Sequence, residues 1–360
     1  MEFEKILSLY DYDLPEELIA KTPVKPRDSA RVLVYNRTTD KISEDIFRNI
    51  TKHLPARSVL VFNETKVLPA RLELKKETGG AVKILFLGIS GDMIRVMADK
   101  PMRPGMKLIL KDKNSFLVQR RDKRFWLLRP LFAVGNIYEI FEKYGTMPIP
   151  PYIKNSPLSE AELKKEYQTV FAKNLGSVAA PTAALHFTNR LLNKIKRAGH
   201  EIIFITLHVN LGTFAPLTED NFKTGRLHSE YYEVGRRAAA RLNAAKARGQ
   251  KIIAVGTTSL RALESATKNY KIVNLKGITD IFIHDFNHSL IRANKRMRPA
   301  RPARSVRFVD GLITNFHVPK SSLMMLVAAL IGREKLLELY RNAIADKFRF
   351  FSFGDGMLLL

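Results

Sequence analysis

Cysteine is absent from the chain, which excludes disulfides, thiolate zinc sites, iron–sulfur clusters and a thiol nucleophile. The eight histidines contain no HExxH motif, and no metal site or prosthetic group is expected. Long apolar runs are missing too. The longest, residues 323–331, is about half of the roughly 20 residues that a spanning helix needs. The first residues, MEFEKILSLYDYDLP, mix acids among apolar positions and lack a signal-peptide layout, so a cytoplasmic protein without a membrane partner is expected. Acidic residues are scarce, 35 against 60 Lys and Arg, for a net charge of +25. A field of that sign and size favours a polyanion such as RNA.

What is present reads as an ordinary globular chain: 360 residues, 46% hydrophobic and 26% charged, long enough for two domains. Two stretches organise it. In LGSVAAPTAALHFT, residues 175–188, a loop of small residues runs into Pro181-Thr182, where proline and a capping hydroxyl suit a helix start. The pattern then predicts one helix over Leu185, Leu191, Leu192 and Ile195, ended by Gly199. The apolar run 202–205 predicts a buried strand leading into LHVNLGTFAPL, residues 207–217. The loop, the helix start, His186 and His208 are thereby expected in one neighbourhood, as a nucleotide pocket requires. A tight helix–strand packing unit is the alternative.

Before these stretches the sequence predicts a short helix after Pro15, a strand at 31–35, a helix at 43–54 and a buried strand at 59–62. Arg27, Asp28 and Arg31 form a charge cluster expected as a solvated turn. The texture changes at Ala70. Six short β-rich runs (71–74, 82–87, 93–97, 107–110, 116–119 and 125–128) are separated by turn residues such as Gly79-Gly80, Gly91-Asp92 and Pro104-Gly105, which argues a small all-β barrel. Helical and α/β patterns resume afterwards, with helices at 134–144, 159–167, 235–248, 259–267, 321–331 and 335–347, a strand at 251–255 and a tail at 350–356. The fold class expected is an α/β catalytic domain, residues 1–69 and 131–360, with an inserted small β-barrel domain, residues 70–130. Between 283 and 308 lies a low-complexity basic stretch in which Pro299 and Pro302 exclude a regular helix and from which Arg296, Arg298, Arg301 and Arg304 are expected to meet RNA phosphates.

Polar letters gather at strand ends of the α/β part. Gly256-Thr257-Thr258-Ser259 opens a helix carrying Arg261 and Glu264, and hydroxyls with free N–H groups at a helix start suit a carboxylate or phosphate. His228-Ser229-Glu230-Tyr231-Tyr232 reads as a strand, and Asn315-Phe316-His317 precedes Pro319 and a helix. No glycine-rich loop follows the first strand of a βαβ unit, which disfavours an ordinary methyltransferase.

Taken together, the blocks YDLPEELIAKTPVKPRDSARVLVYNR, VFNETKVLPARL, YQTVFAKNLGSVAAPTAALHFT, LHVNLGTFAPL, LHSEYYEV, AVGTTSLRALES, GLITNFHVPKSSLMMLV and FRFFSFGDGMLLL resemble the S-adenosylmethionine:tRNA ribosyltransferase-isomerase family of bacterial queuosine biosynthesis over nearly the whole length. The resemblance implies transfer of the ribosyl part of S-adenosylmethionine, a co-substrate, to the aminomethyl group of a 7-deazaguanine at the wobble position of tRNA. Epoxyqueuosine, adenine and methionine would result, with the tRNA anticodon loop as macromolecular partner of a monomer. Such chemistry needs a base for the carbon beside the sulfonium, for which His186, His208 and His317 are candidates, with His228 and Glu230 behind them. Asp280 or Asp355 would protonate the departing adenine. The methionine carboxylate would meet Arg261 or the N–H groups around Thr257, Thr258 and Ser259; Tyr231, Tyr232 or Glu230 would face the sulfonium. Thr182 and Asn315 complete the expected binding residues. The chain departs from the family pattern at Ala184 and Asn210, where glycine is usual, and in its long basic link before VDGLITNFH.

Overall fold

Strands Val59–Asn63, Ile252–Val255, Gly311–Asn315 and Gly356–Leu359 are buried at every position, the pattern of strands covered on both faces. They sit inside a nine-stranded sheet. Its order, edge to edge, is Lys276–Ile281, Arg226–Glu233, Glu201–Leu207, Val59–Asn63, Ile252–Val255, Gly311–Asn315, Gly356–Leu359, Arg31–Asn36 and Lys41–Ile46. The four strands from Glu201–Leu207 to Gly311–Asn315 run parallel, and those beyond them include antiparallel neighbours. Helices Arg236–Ala247 and Thr257–Ala266 supply Leu242, Leu260 and Leu263 to a core on one face, while Leu191, Leu192 and Ile195 of Asn189–Arg197 pack with Phe47 and Phe187 on the other. The structure, a computed structural model, describes residues 2–111, 114–122, 124–210, 216–285 and 306–360. No described helix is long and apolar enough to cross a membrane.

The six expected β-runs close into a barrel, in the order Phe125–Pro130, Met93–Ala98, Ala81–Ser90, Arg71–Lys76, Lys107–Ile109, Ser115–Asp122. Alternation along Arg71–Lys76 turns Leu72 and Leu74 inward, and closure leaves no open edge to aggregate. The barrel's two chain crossings are stitched together: Arg71 and Thr146 exchange both backbone hydrogen bonds, at 3.2 and 2.9 Å. Gly145 makes that approach possible, because a Cβ there would lie 1.9 Å from the Pro69 carbonyl oxygen and 2.4 Å from that of Phe141. Gly145→Ala is expected to destabilise the protein by about 1–3 kcal/mol, the usual penalty of overpacking, read as a lower urea midpoint at unchanged slope.

Four local expectations change. Residues 43–54 are no helix; Lys41–Ile46 pairs antiparallel with Arg31–Asn36, and a 3-10 segment, Phe47–Lys52, follows. The strand register, satisfied from outside the segment, outweighs its helical periodicity. The helix predicted from Thr182 is two pieces, a 3-10 turn Thr182–His186 and the α-helix Asn189–Arg197, whose cap Thr188 accepts the Leu191 N–H. The tail at 350–356 enters the sheet as Gly356–Leu359, parallel to Arg31–Asn36. Nor is the charge cluster a solvated turn. Asp28 is buried and accepts from Thr188 and Arg190, while Arg27 binds Glu166 and three backbone carbonyls.

Candidate active site

In an open α/β sheet, ligands bind beyond the carboxyl ends of the parallel strands. Such a cleft, about 650 Å³ including space open to solvent, lies past Ile252–Val255 and Gly311–Asn315. Ala179, Ala180 and Thr182 come from the small-residue loop, and Gly256, Thr257 and Thr258 from the start of helix Thr257–Ala266. Gly256 adopts φ +88° and gives that helix no side-chain cap, so its first-turn N–H groups keep their partial positive charge for a ligand. A side chain at this φ would be strained, although the space around it is ordinary.

Thr314, Asn315 and His317 form the facing wall. The Asn315 amide nitrogen donates to the carbonyls of Phe351 at 2.8 Å and Ser352 at 3.3 Å. Its oxygen is therefore the acceptor facing His186 Nε2, 3.2 Å away, and His186 holds its proton on that nitrogen. His186 lies behind the wall, stacked on Phe47 at 4.0 Å, where burial pushes its pKa down to about 4. The unfolded chain binds a proton near pH 6.5 that the folded chain refuses until about pH 4. His186 thus favours folding fully above pH 6.5 and loses that contribution as pH falls toward 4. His186→Gln is expected to flatten the fall in stability between those pH values, measured as urea midpoint against pH.

His317 is half-buried and lines the cleft. Its Nε2 lies 2.9 Å from the Thr314 hydroxyl, and burial lowers its pKa below the ordinary imidazole value. Its backbone is held independently of the ring: the N–H donates to Tyr340 at 2.7 Å, and the carbonyl accepts from Tyr12. Aromatics that the sequence reading did not single out close the site. Tyr152 bonds Ser352 at 2.7 Å, and the Tyr167 hydroxyl is buried. Burial pushes Tyr152 up to about 12. Thr314 and Phe351 were also missed. A fully buried tyrosine at the end of a helix as charged as Glu160–Glu166 was the one available signal.

Other expected residues stand away from this cleft. His208 is half-buried on its flank, 2.8 Å from the Thr65 hydroxyl and stacked on Tyr231 at 5.9 Å; burial lowers its pKa. The Tyr231 hydroxyl donates to Glu233. Ser259 is buried and donates back to the Val255 carbonyl. The Asp280 carboxylate pairs with Arg226 at 3.3 Å. Asp355 accepts the N–H groups of Arg31 and Arg349, both at 2.8 Å, and burial pushes its pKa up; that geometry anchors the C-terminal strand rather than reaching a ligand. Glu230 is buried, accepts the Asn210 N–H at 3.1 Å and forms an ion pair with Arg261. Ala184 is fully buried in the core beside Phe187 and does not narrow the cleft. Arg296, Arg298, Arg301 and Arg304 lie outside the described residues. After them the Glu264 carboxylate takes up the chain again, accepting the N–H groups of Arg307, Phe308 and Val309 at 2.9–3.1 Å.

The chain is similar to known proteins over nearly its whole length. A family described as "Queuosine biosynthesis protein" matches residues 7–359. The S-adenosylmethionine:tRNA ribosyltransferase-isomerases of Halothermothrix orenii and Carboxydothermus hydrogenoformans are each 42% identical, over 361 and 357 residues, covering 98% of this chain and 98% of each relative. The crystal structure of an S-adenosylmethionine tRNA ribosyltransferase from Thermotoga maritima aligns with a TM-score of 0.52 at 29% identity, covering 98% of this chain and 100% of that one.

Proposed function

The chain belongs to the queuosine biosynthesis protein family, an enzyme family of tRNA ribosyltransferase-isomerases, and we propose that it moves the ribosyl part of S-adenosylmethionine onto the aminomethyl group of a 7-deazaguanine at the tRNA wobble position. The products are epoxyqueuosine-tRNA, adenine and methionine. The carrying observation is one cleft that joins the His317 imidazole, an uncapped helix start and a cluster of hydroxyls.

In this reading His317 takes the proton from the 5′ carbon that the sulfonium acidifies. Burial keeps the ring neutral, and so able to accept, at the cost of making it a weaker base. The electron pair left on carbon opens the sugar and expels adenine. The tRNA amine then attacks, and the sugar oxygen closes an epoxide as methionine leaves. With Asp280 and Asp355 away from the cleft, a proton for adenine comes from a phenol. Tyr152 and Tyr167 both line the cleft and are protonated at neutral pH, although burial makes each a weaker acid than a free phenol. Thr182, Thr257, Thr258 and Asn315 orient the nucleoside, and Asn315 is in turn fixed by His186. The arginines at 296, 298, 301 and 304 are assigned to tRNA phosphates on charge, the barrel at 70–130 to a domain of its own, and the enzyme to the cytoplasm as a monomer.

Product identity tests the reaction class. Incubation with S-adenosylmethionine and precursor tRNA is expected to yield adenine; S-adenosylhomocysteine in its place would make the protein a methyltransferase and overturn the proposal.

A further inference from the structure

Across Leu323, whose side chain belongs to both walls, the cleft adjoins a smaller side pocket. Leu227, Ile281, Ile283 and Leu326 are its apolar lining, and Arg261, His228 and Ser322 its polar lining. Arg261 is 7% exposed. Its Nη1 donates to Glu230, but its Nε and Nη2 are buried and meet no acceptor among the described residues. Nε and Nη2 are the adjacent donors on the side-on edge of a guanidinium, the edge that receives both oxygens of a carboxylate. A buried cation with an unmade pair of bonds along one edge is anomalous in a folded chain. A second cation stands close by, since Arg124 of the barrel donates to His228 Nε2 at 2.7 Å.

We infer that this side pocket seats the amino-acid chain of the co-substrate, with its carboxylate side-on to Arg261 and its methylenes against the leucine and isoleucine walls. The inference rests on S-adenosylmethionine being the co-substrate, and it settles which of the two expected anchors holds the carboxylate. The uncapped helix start at Thr257 is then left to the nucleoside. Glu230 is a positioning residue: it occupies Nη1 and leaves the Nε–Nη2 edge as the one a carboxylate can take. The apolar walls suit a short aliphatic chain ending in a carboxylate.

The test is calorimetric binding of S-adenosylmethionine and of decarboxylated S-adenosylmethionine, which differs only in lacking the carboxylate, to the full chain. The wild type is expected to bind the decarboxylated compound about tenfold or more weakly, the scale of a charge-assisted bidentate bond. In the double variant Glu230→Gln/Arg261→Gln, which leaves no buried charge behind, the two ligands are expected to bind alike. Equal binding by the wild type, or discrimination retained by the double variant, overturns the inference and places the carboxylate elsewhere. Ser322→Phe provides a second route that leaves the ion pair intact, because Ser322 lines the same pocket. It is expected to weaken S-adenosylmethionine while sparing 5′-methylthioadenosine, which has no amino-acid chain; equal losses for both ligands would contradict the assignment. Adenine release by the wild type, assayed in parallel, separates the two levels. No adenine sinks the ribosyl-transfer reading itself, whereas adenine without carboxylate discrimination sinks only the side pocket.

Discussion

His317→Ala is expected to lower kcat for adenine release by about 10²- to 10⁴-fold, the range contributed by a positioned general base, with a far smaller change in the affinity for S-adenosylmethionine. The structure makes this substitution informative. Tyr340 and Tyr12 hold the backbone of residue 317 whatever its side chain, so losing the imidazole does not release the strand end that carries it. Only the Thr314 hydroxyl loses a partner. His317→Gln separates chemistry from positioning, since an amide can replace the Thr314 contact but cannot accept the proton. If the imidazole is the base, glutamine is as slow as alanine; if it only orients the wall, glutamine recovers most of the rate. Steady-state kinetics at saturating tRNA, with both variants checked for folding by circular dichroism, decides between them.

Glu230→Ala is expected to cost about 3–5 kcal/mol of folding stability, the penalty for breaking a buried ion pair by deleting one partner. Arg261 would remain buried with Nη1 unanswered too, added to the Nε and Nη2 already without acceptors among the described residues. The Asn210 N–H would lose its acceptor as well. Replacing both members together by glutamine removes the stranded charge, so the double variant is expected to be more stable than Glu230→Ala alone. Urea denaturation of the two measures the difference. A Glu230→Ala protein as stable as the double variant would show that Arg261 finds solvent or another acceptor when its partner is gone.

The elements that were legible from sequence are those whose burial pattern is complete within one segment. Residues 59–62, 202–205 and 252–255 are apolar throughout and became central parallel strands. The barrel runs alternate and are bounded by turn residues, so local chemistry alone specifies them. Residues 43–54 misled because a strand edge and a 3-10 segment carry Ile46, Phe47 and Ile50 at spacings that also suit a helix, and the deciding partner, Arg31–Asn36, lies outside that window. The C-terminal strand was hidden for the same reason: both its neighbours in the sheet, Gly311–Asn315 and Arg31–Asn36, lie outside its own segment. In the site, the small-residue loop and the GTTS helix start could be read because each is continuous. The joining of Tyr152, Tyr167, Asn315 and Ser352 could not, since only the folded sheet brings those four segments together. His186 and His317 stood in equally prominent motifs; the fold alone puts one behind Asn315 and the other on the cleft wall.

The central claim is that this cleft transfers a ribosyl group to a modified base in tRNA. The direct measurement is adenine released from S-adenosylmethionine with tRNA carrying the 7-aminomethyl-7-deazaguanine precursor, against the same tRNA bearing guanine at that position. The account predicts adenine in the first reaction and none in the second. No adenine from either, with the precursor tRNA still bound, would contradict it and leave a basic protein that holds RNA on an enzyme's scaffold.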